Sequence, residues 1–279
     1  MDQIKIEYES LAIEEPDKEI KHNSVKKYSA AVTLTIDQIV LSEDWEVQNG
    51  IDKVELAKFI IAFIQDNSHY ELEVLAVKLA EHLLQTNFSL REVNLELAQN
   101  STDVSATDLV STVSISRKWE PAVIAFGTNI GDREGYINAA LNSMDDNSSV
   151  RRLATSSIIE TPPYGFLDQD DFLNGAVYIE TLLSPLDLLS FLQQLERDAG
   201  RKRIVHWGPR SLDLDIIYYS DLILNSKKLM LPHPGLHERR FVLEPLCEIV
   251  PNYVDPRFKL PVLTLLERFN ETESKKTEG

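Results

Sequence analysis

The sequence predicts an α+β protein of two domains, and three observations carry that prediction. A chain of 279 residues is long for a single small core, and two domains is its natural division. The first half orders its periodic segments as two strands, two helices and two strands, which suggests an antiparallel sheet backed by helices. The second half mixes helices and strands without the regular alternation of a parallel α/β sheet. The boundary is placed within Ser111–Pro121, where an alternating strand passes through Arg-Lys to a proline. It gives a first domain over residues 1–118, a second over 119–272, and a flexible tail over 273–279.

Each element has a local reason. IKIEYE and KKYSAAVTLTI are strand-like by β-branched content and alternation. Helices are expected over Asp52–Gln65 and Tyr70–Leu84, the second with Leu72, Leu75, Ala76, Leu79 and Leu83 on one face. REVNLELAQ and DLVSTVSIS complete the first half as strands. In the second half, AVIAF is an apolar strand that ends in the turn Gly127-Thr-Asn-Ile-Gly131-Asp132, where Asp132 is placed to cap a helix. Ser184, Pro185 and Asp187 supply an N-cap, an N1 proline and an N3 acid for another helix. That helix turns Leu188, Leu192 and Leu195 inward and stops at Gly200. The strand RSLDLDIIYY follows. From Glu271 to Gly279 the charged, glycine-ended tail is expected to fray.

Composition narrows the function classes. Hydrophobic residues make up 43% and charged residues 26%, ordinary values for a soluble globular protein. No run approaches the roughly 18 apolar residues of a membrane span. The start, MDQIKIEYE, is acidic and strand-like, unlike a signal or transit peptide, so a cytoplasmic location is expected. The single cysteine, Cys247, excludes an internal disulfide or a cysteine-based metal cluster and reads as a buried spectator thiol. Net charge is −17, and acidic residues exceed basic ones by 21 to 11 up to Lys118 and by 24 to 17 beyond it. Acidity in both halves argues against nucleic-acid or anionic-membrane partners. A local basic cluster from Arg201 to Arg210 interrupts it, and a bound polyanion is one reason for such an island.

The stretch Glu196–Asp215, ERDAGRKRIVHWGPRSLDLD, carries the most chemistry. A period of two puts Asp213 and Asp215 on one strand face and Leu212, Leu214 and Ile216 on the other. Two carboxylates about 7 Å apart can hold a hard cation such as Mg²⁺, or they are the solvated face of an amphipathic strand. Arg201, Arg203 and Arg210 lie just upstream, and arginines beside metal-ligating carboxylates suit phosphoryl transfer. A surface ion-pair network is the alternative. Trp207 is either a core residue or a cover for a planar ring. His233 stands between two prolines, positioned as a phosphate donor. Glu160-Thr-Pro-Pro-Tyr-Gly165 and Asp171-Phe172-Leu-Asn174 supply a stiff loop, aromatics and an amide suited to a flat heterocycle; a turn and a strand start explain them equally.

Residues 122–270 closely resemble the 6-hydroxymethyl-7,8-dihydropterin pyrophosphokinase family. AFGTNIGD, ETPPYG, DFLNGAV, ERDAGRKR, HWGPRSLDLDI and LPHPGLHERRFVLEPL stand in family order. Thr128 replaces a usual serine in the first block, a conservative departure. The resemblance implies a ferredoxin-like α+β fold and transfer of diphosphate from ATP to the pterin hydroxymethyl oxygen, with two Mg²⁺ and AMP as product. It implies that Asp213 and Asp215 ligate both metals, with Arg201 and Arg203 on a loop closing over the phosphates. Glu196, Trp207, Arg210, His233 and Arg239 are implied on the ATP side. Thr161, Pro162, Tyr164, Phe172, Asn174 and Phe241 are implied around the pterin. No Walker A motif is present, which disfavours a P-loop kinase.

Residues 1–118 resemble dihydroneopterin aldolase, a tunnelling-type ββααββ family that assembles into rings. The resemblance implies a homo-oligomer, a tetramer or octamer, with Glu73 as a remnant pterin-holding residue. Other family positions are changed. The Tyr-His-Gly turn reads Leu11-Ala-Ile-Glu-Glu-Pro16, and a Gly-Gln pair reads Val25-Lys26. A glutamate falls at Lys21, an Asn-Tyr pair at Asp52-Lys53, and the Lys-Pro ending the third strand reads Gln99-Asn100. Glutamine does not titrate, so it cannot replace the amine in acid–base work. The expectation is a pyrophosphokinase fused to a catalytically impaired aldolase-like domain, with a working bifunctional enzyme as the alternative.

Overall fold

The computed structural model describes residues 2–15, 24–36, 52–87, 89–101, 109–163, 168–200 and 209–277. The chain divides into two compact units, Met1–Trp119 and Glu120–Gly279.

In the first unit, strands β1 (Asp2–Glu15) and β2 (Ser24–Ile36) precede helices α1 (Lys53–Asn67) and α2 (Leu72–Thr86), and strands β3 (Leu90–Ser101) and β4 (Leu109–Lys118) follow. The four strands form one antiparallel sheet in the order β1-β2-β3-β4. Alternation decides the faces. Tyr28, Ala30, Val32, Leu34 and Ile36 of β2 are buried together with Val93, Leu95 and Leu97 of β3. Leu75, Ala76, Leu79 and Leu83 of α2 are buried as the helical stripe requires. Helix α1 begins after Asp52 because the Asp52 carboxylate accepts from the N–H groups of Val54 and Glu55 at 2.8 and 3.1 Å. Helix α2 begins at Leu72, the first residue of its apolar stripe and two residues after the expected Tyr70, with Glu71 in extended backbone before it.

The second unit runs β5 (Glu120–Thr128), α3 (Arg133–Asp145), β6 (Val150–Thr155), β7 (Ile159–Thr161), β8 (Phe172–Thr181), α4 (Pro185–Asp198) and β9 (Asp213–Tyr219). The short pair β10 (Leu224–Asn225) and β11 (Met230–Leu231) precedes α5 (Arg240–Ile249) and α6 (Val262–Thr277). The main sheet is antiparallel in the order β6-β8-β5-β9, and β7 continues β6 along the same edge of β8. One face packs Ile124, Phe126, Val177, Ile179, Leu214 and Ile216 against Ile137, Leu188 and Leu192 of α3 and α4. The other packs Val123, Ala176, Ile217 and Tyr218 against Val242, Leu243, Leu246 and Leu265 of α5 and α6.

Local signals place the helices. Asp132 caps α3 by accepting from the Gly135 N–H, and Ser184 caps α4 by accepting from the Asp187 N–H. Gly200 ends α4 with φ +73°, a left-handed conformation that glycine adopts without steric cost. The tail expected to fray from Glu271 instead runs on as helix to Thr277. Thr272 and Ser274 hydroxyls donate to the carbonyls of Arg268 and Asn270 at 2.9 Å, and the Glu and Lys residues there favour helix. Cys247 is half-buried beside the α5–α6 core rather than fully enclosed. No helix among the described residues is long and apolar enough to cross a membrane.

Candidate active site

One cavity of the second unit collects most of the residues singled out in the sequence. It is lined by Gly127, Thr161, Pro162, Phe172, Asn174, Arg210, Asp213, Asp215, Arg239 and Phe241, with Ala125 and Val242 among the rest. The register explains the assembly. Gly127 of the central strand pairs with Asn174 on one side and with Asp213 on the other, and Ala125 pairs with Asp215. Asn174, Gly127 and Asp213 therefore stand side by side across three strands. Beside Asp215 and Asp213 the central strand places the small residues Ala125 and Gly127, and polar groups from both neighbours share the space above them. A Cβ on Gly127 would stand 2.9 Å from the Asn174 Oδ1, so this position requires glycine for a close approach.

On the aromatic side, the Asn174 amide donates from Nδ2 to the Thr161 hydroxyl at 2.8 Å, which fixes the amide and leaves Oδ1 over Gly127. Asn174 is buried. Phe172 enters from β8 and Phe241 from the first turn of α5, so two rings border the space beside this amide.

On the acidic side, β9 carries Asp213 and Asp215 toward the cavity, while Leu212, Leu214 and Ile216 are buried behind them. Arg210 donates from Nη1 to Asp213 Oδ2. The Asp215 carboxyl is held well above the ordinary carboxylate range. Burial is the first cause and the neighbouring Asp213 carboxylate the second, opposed by Arg210 and Arg239. Its side chain still exposes 42% of its surface, so the group is deep in the site yet reachable from the open cavity. The arrangement crowds negative charge where a cation is the natural relief.

His233 stands beside the pair, its Nε2 3.9 Å from Asp215 Oδ2. Its N–H donates to the Ile217 carbonyl at 3.0 Å, which ties the loop to β9. The Gly235 N–H donates to His233 Nδ1 at 3.3 Å, so the proton of the neutral ring sits on Nε2 and faces the acids. Burial, reinforced by Arg239, lowers the imidazole to about 4, so it is neutral near pH 7 and offers one N–H donor.

Glu196 does not line the cavity. It is buried in α4, and its Oε1 accepts from the Leu214 N–H at 2.9 Å, capping the outer edge of β9. Glu73 lies exposed in the first turn of α2 in the other unit. Arg201, Arg203, Trp207 and Tyr164 lie outside the described residues. Asn129, not singled out from the sequence, is buried and ties three segments together. Its Oδ1 accepts from the Arg210 N–H at 2.8 Å, and its Nδ2 donates to Gln169 Oε1 and the Asp170 carbonyl at 3.1 Å. Its signal is an amide residue directly after an apolar strand, where turn-forming hydrogen bonds are expected. The same contacts explain why β9 begins at Asp213 and not at Arg210: the Arg210 backbone is engaged with Asn129.

Residues 123–251 match the family model for 7,8-dihydro-6-hydroxymethylpterin-pyrophosphokinase. The chain is 48% identical over 128 residues to 2-amino-4-hydroxy-6-hydroxymethyldihydropteridine pyrophosphokinase of Bacillus subtilis, covering 46% of this chain and 77% of that protein. It is 39% identical over 148 residues to the Haemophilus influenzae enzyme of the same name, covering 53% of this chain and 92% of that protein. The folic acid synthesis protein fol1 of Schizosaccharomyces pombe is 33% identical over 232 residues, covering 78% of this chain. That match is longer than the second unit alone, yet this chain spans only 32% of the fission-yeast protein. A Plasmodium falciparum HPPK-DHPS structure is 15% identical, over 58% of this chain and 46% of that chain, with a TM-score of 0.47. By these identities over most of the bacterial enzymes' length, the chain belongs to the family of 7,8-dihydro-6-hydroxymethylpterin-pyrophosphokinases, kinases of folate biosynthesis.

Proposed function

We propose that the second unit transfers the terminal diphosphate of ATP to the hydroxymethyl oxygen of 6-hydroxymethyl-7,8-dihydropterin, releasing AMP. The observation that carries this reading is the single cavity in which the Asp213–Asp215 pair faces Asn174, Phe172 and Phe241 across the small residues Ala125 and Gly127. It can hold a phosphate chain and a flat heterocycle side by side. The pterin stacks between Phe172 and Phe241, with Tyr164 as a further ring. Asn174, Thr161 and Pro162 meet its edges. In the transfer, the hydroxymethyl oxygen bonds to the β-phosphorus as the bond to the α–β bridging oxygen breaks, and the hydroxyl proton is lost. Arg210, Arg239 and the His233 Nε2–H hold the phosphate oxygens, joined by Arg201, Arg203 and Trp207. Glu196 supports the ATP side indirectly, by fixing the edge of the strand that carries the acids.

Mg²⁺ fits this site. Among the described residues no group of three or more His, Cys, Asp or Glu side chains forms a cage. Mg²⁺ is commonly bound by one or two carboxylates completed by substrate phosphates and water, however, and Asp213 and Asp215 supply such a pair. Both carboxylates line the same open cavity. Two Mg²⁺ bound there would neutralise the phosphate oxygens and make the phosphorus more electrophilic. Purified protein given ATP, Mg²⁺ and the hydroxymethyl pterin is expected to release AMP. No AMP, or full activity in Asp213→Ala, overturns the reading.

The succession β5-α3-β6-β8-α4-β9 supports a ferredoxin-like reading of the second unit. For the first unit we propose a tunnelling-type, aldolase-like domain that serves assembly and has lost its aldol cleavage. The order β1-β2-α1-α2-β3-β4 supports it, and so do β1 and β4, each of which has one edge without a strand partner among the described residues. Pairing of such edges between copies builds a closed homo-oligomer, and light scattering that finds only monomers overturns it. A second reading, retained aldolase activity, is favoured by one observation. Tyr28 pairs with Gln99 and Lys26 with Ser101, so by alternation Lys26 lies on the same sheet face as Gln99, one step diagonally away. An amine is therefore close to the position where the family's lysine is missing. Release of glycolaldehyde from dihydroneopterin decides between the two.

A further inference from the structure

Building on the pyrophosphokinase reading, we infer that Glu248, remote from the cavity lining, is a positioning residue for the pterin, acting through a clamp on Ser157. The clamp joins the two walls that border the heterocycle side of the site. One wall is the first turn of α5, with Phe241 and Val242; the other is the end of β7, with Thr161 and Pro162.

The contacts are specific. Both carboxylate oxygens of Glu248 accept from the Ser157 N–H, at 2.9 and 3.0 Å, and Oε1 also accepts from the Ser157 hydroxyl at 2.9 Å. The three bonds lie at the exposed surface and act together on one residue. Ser157 is itself held in place by its neighbour. Ser156 is buried, its N–H donates to the Ala176 carbonyl at 2.9 Å, and its hydroxyl accepts from the Ala176 N–H at 2.9 Å. Ser156 thus anchors the β6–β7 connection on β8, and Ser157 presents both donors to α5. Four residues further on, Thr161 reaches the cavity.

Helix α5 has reason to need such a tie. It spans Arg240–Ile249, has no side-chain N-cap and contains Pro245. A proline has no N–H, so Pro245 donates no hydrogen bond within the helix. A helix this short is marginal on its own, and its placement rests on packing and on external bonds. Glu248 follows Phe241 by seven residues, two turns along one helix face. Fixing Glu248 to the β7 connection therefore fixes where the Phe241 ring stands relative to Thr161 and Pro162. Asp213, Asp215 and Arg210 sit on other elements; Arg239, the residue before α5, is one of several groups on the phosphates, so ATP affinity depends on the clamp less than pterin affinity does.

The test is pterin and ATP binding by calorimetry, with steady-state kinetics, on the full chain. Glu248→Ala is expected to weaken pterin binding roughly tenfold, with ATP affinity and kcat at saturating pterin within about twofold of wild type. Ser157→Ala, which keeps the backbone N–H arm, is expected to lose roughly threefold. The double variant is expected to be no worse than Glu248→Ala, because both changes break one interaction. Glu248→Gln retains an acceptor oxygen and is expected to recover part of the loss. Unchanged pterin affinity in Glu248→Ala, or equal losses for pterin and ATP, overturns the clamp. Should Glu248→Ala not fold, Ser157→Ala decides by the same pair of affinities. A wild-type protein that binds no pterin overturns the pyrophosphokinase reading instead.

Discussion

The two units of this chain solve the same packing problem and differ in what they do with the sheet. Each sets an antiparallel sheet against helices. In the first, the helix-covered face is aliphatic for most of its length, from Leu34 and Val32 through Leu95 and Leu97. In the second, the face covered by α5 and α6 is apolar at Val123, Ala176 and Ile217, then turns polar at Asn174, Asp213 and Asp215. Small residues at Ala125 and Gly127 open the space between them. An apolar period-two pattern maintains a fold under many substitutions, whereas a reaction needs particular polar groups at particular positions. On the proposed reading the first unit keeps the pattern but has Gln99 where the aldolase resemblance places a lysine, while the second keeps the pattern together with its polar groups.

The sharpest break of this comparison is Asp215→Ala, expected to reduce AMP release by on the order of a thousandfold, since it removes half of the carboxylate pair. A single-turnover assay of AMP checks it, and a modest loss would place the acids outside the chemistry. Next is the first unit: no glycolaldehyde is expected from dihydroneopterin even at high protein concentration. If it appears, Lys26→Met is expected to abolish it, and the contrast between the units falls. Phe241→Ala is expected to cost about 1 to 3 kcal/mol of pterin affinity and little ATP affinity, measured by calorimetry. A parallel loss of ATP affinity would show that Phe241 supports the whole site. Leu79 is fully buried, and Leu79→Ala is expected to destabilise the first unit by about 2 to 5 kcal/mol. AMP turnover per folded molecule should stay unchanged, as a scaffold role predicts; chemical denaturation beside the kinase assay checks both. The smallest effect is Asp52→Ala, which removes the α1 cap seen at the Val54 and Glu55 amides and is expected to cost about 1 kcal/mol.

Much of this was legible along the chain because its causes are local. The capping side chains Asp132 and Ser184 and the left-handed Gly200 act within a few residues of themselves, and their helices begin and end where these residues permit. The face occupied by Asp213 and Asp215 follows from a period of two. The expected frayed tail failed because charge suggested solvent and disorder, whereas Glu and Lys also extend a helix already nucleated by Val262 and Leu265. Expecting the strand to start at Arg210 failed for a nonlocal reason, the engagement of its backbone by Asn129.

By itself the sequence determined the ββααββ order, the helix caps, the side of β9 that bears the acids, and, through its ordered blocks, the kind of enzyme the second unit resembles. Only the tertiary structure decided that Gly127 would stand between Asn174 and Asp213, since strand register couples residues distant along the chain. Only packing held the His233 ring neutral with Nε2–H toward Asp215, because burial and the Gly235 amide are properties of the folded surroundings. The Glu248–Ser157 clamp was decided in the same way: its partners are 91 residues apart, and no local rule relates them until the strands and α5 have packed.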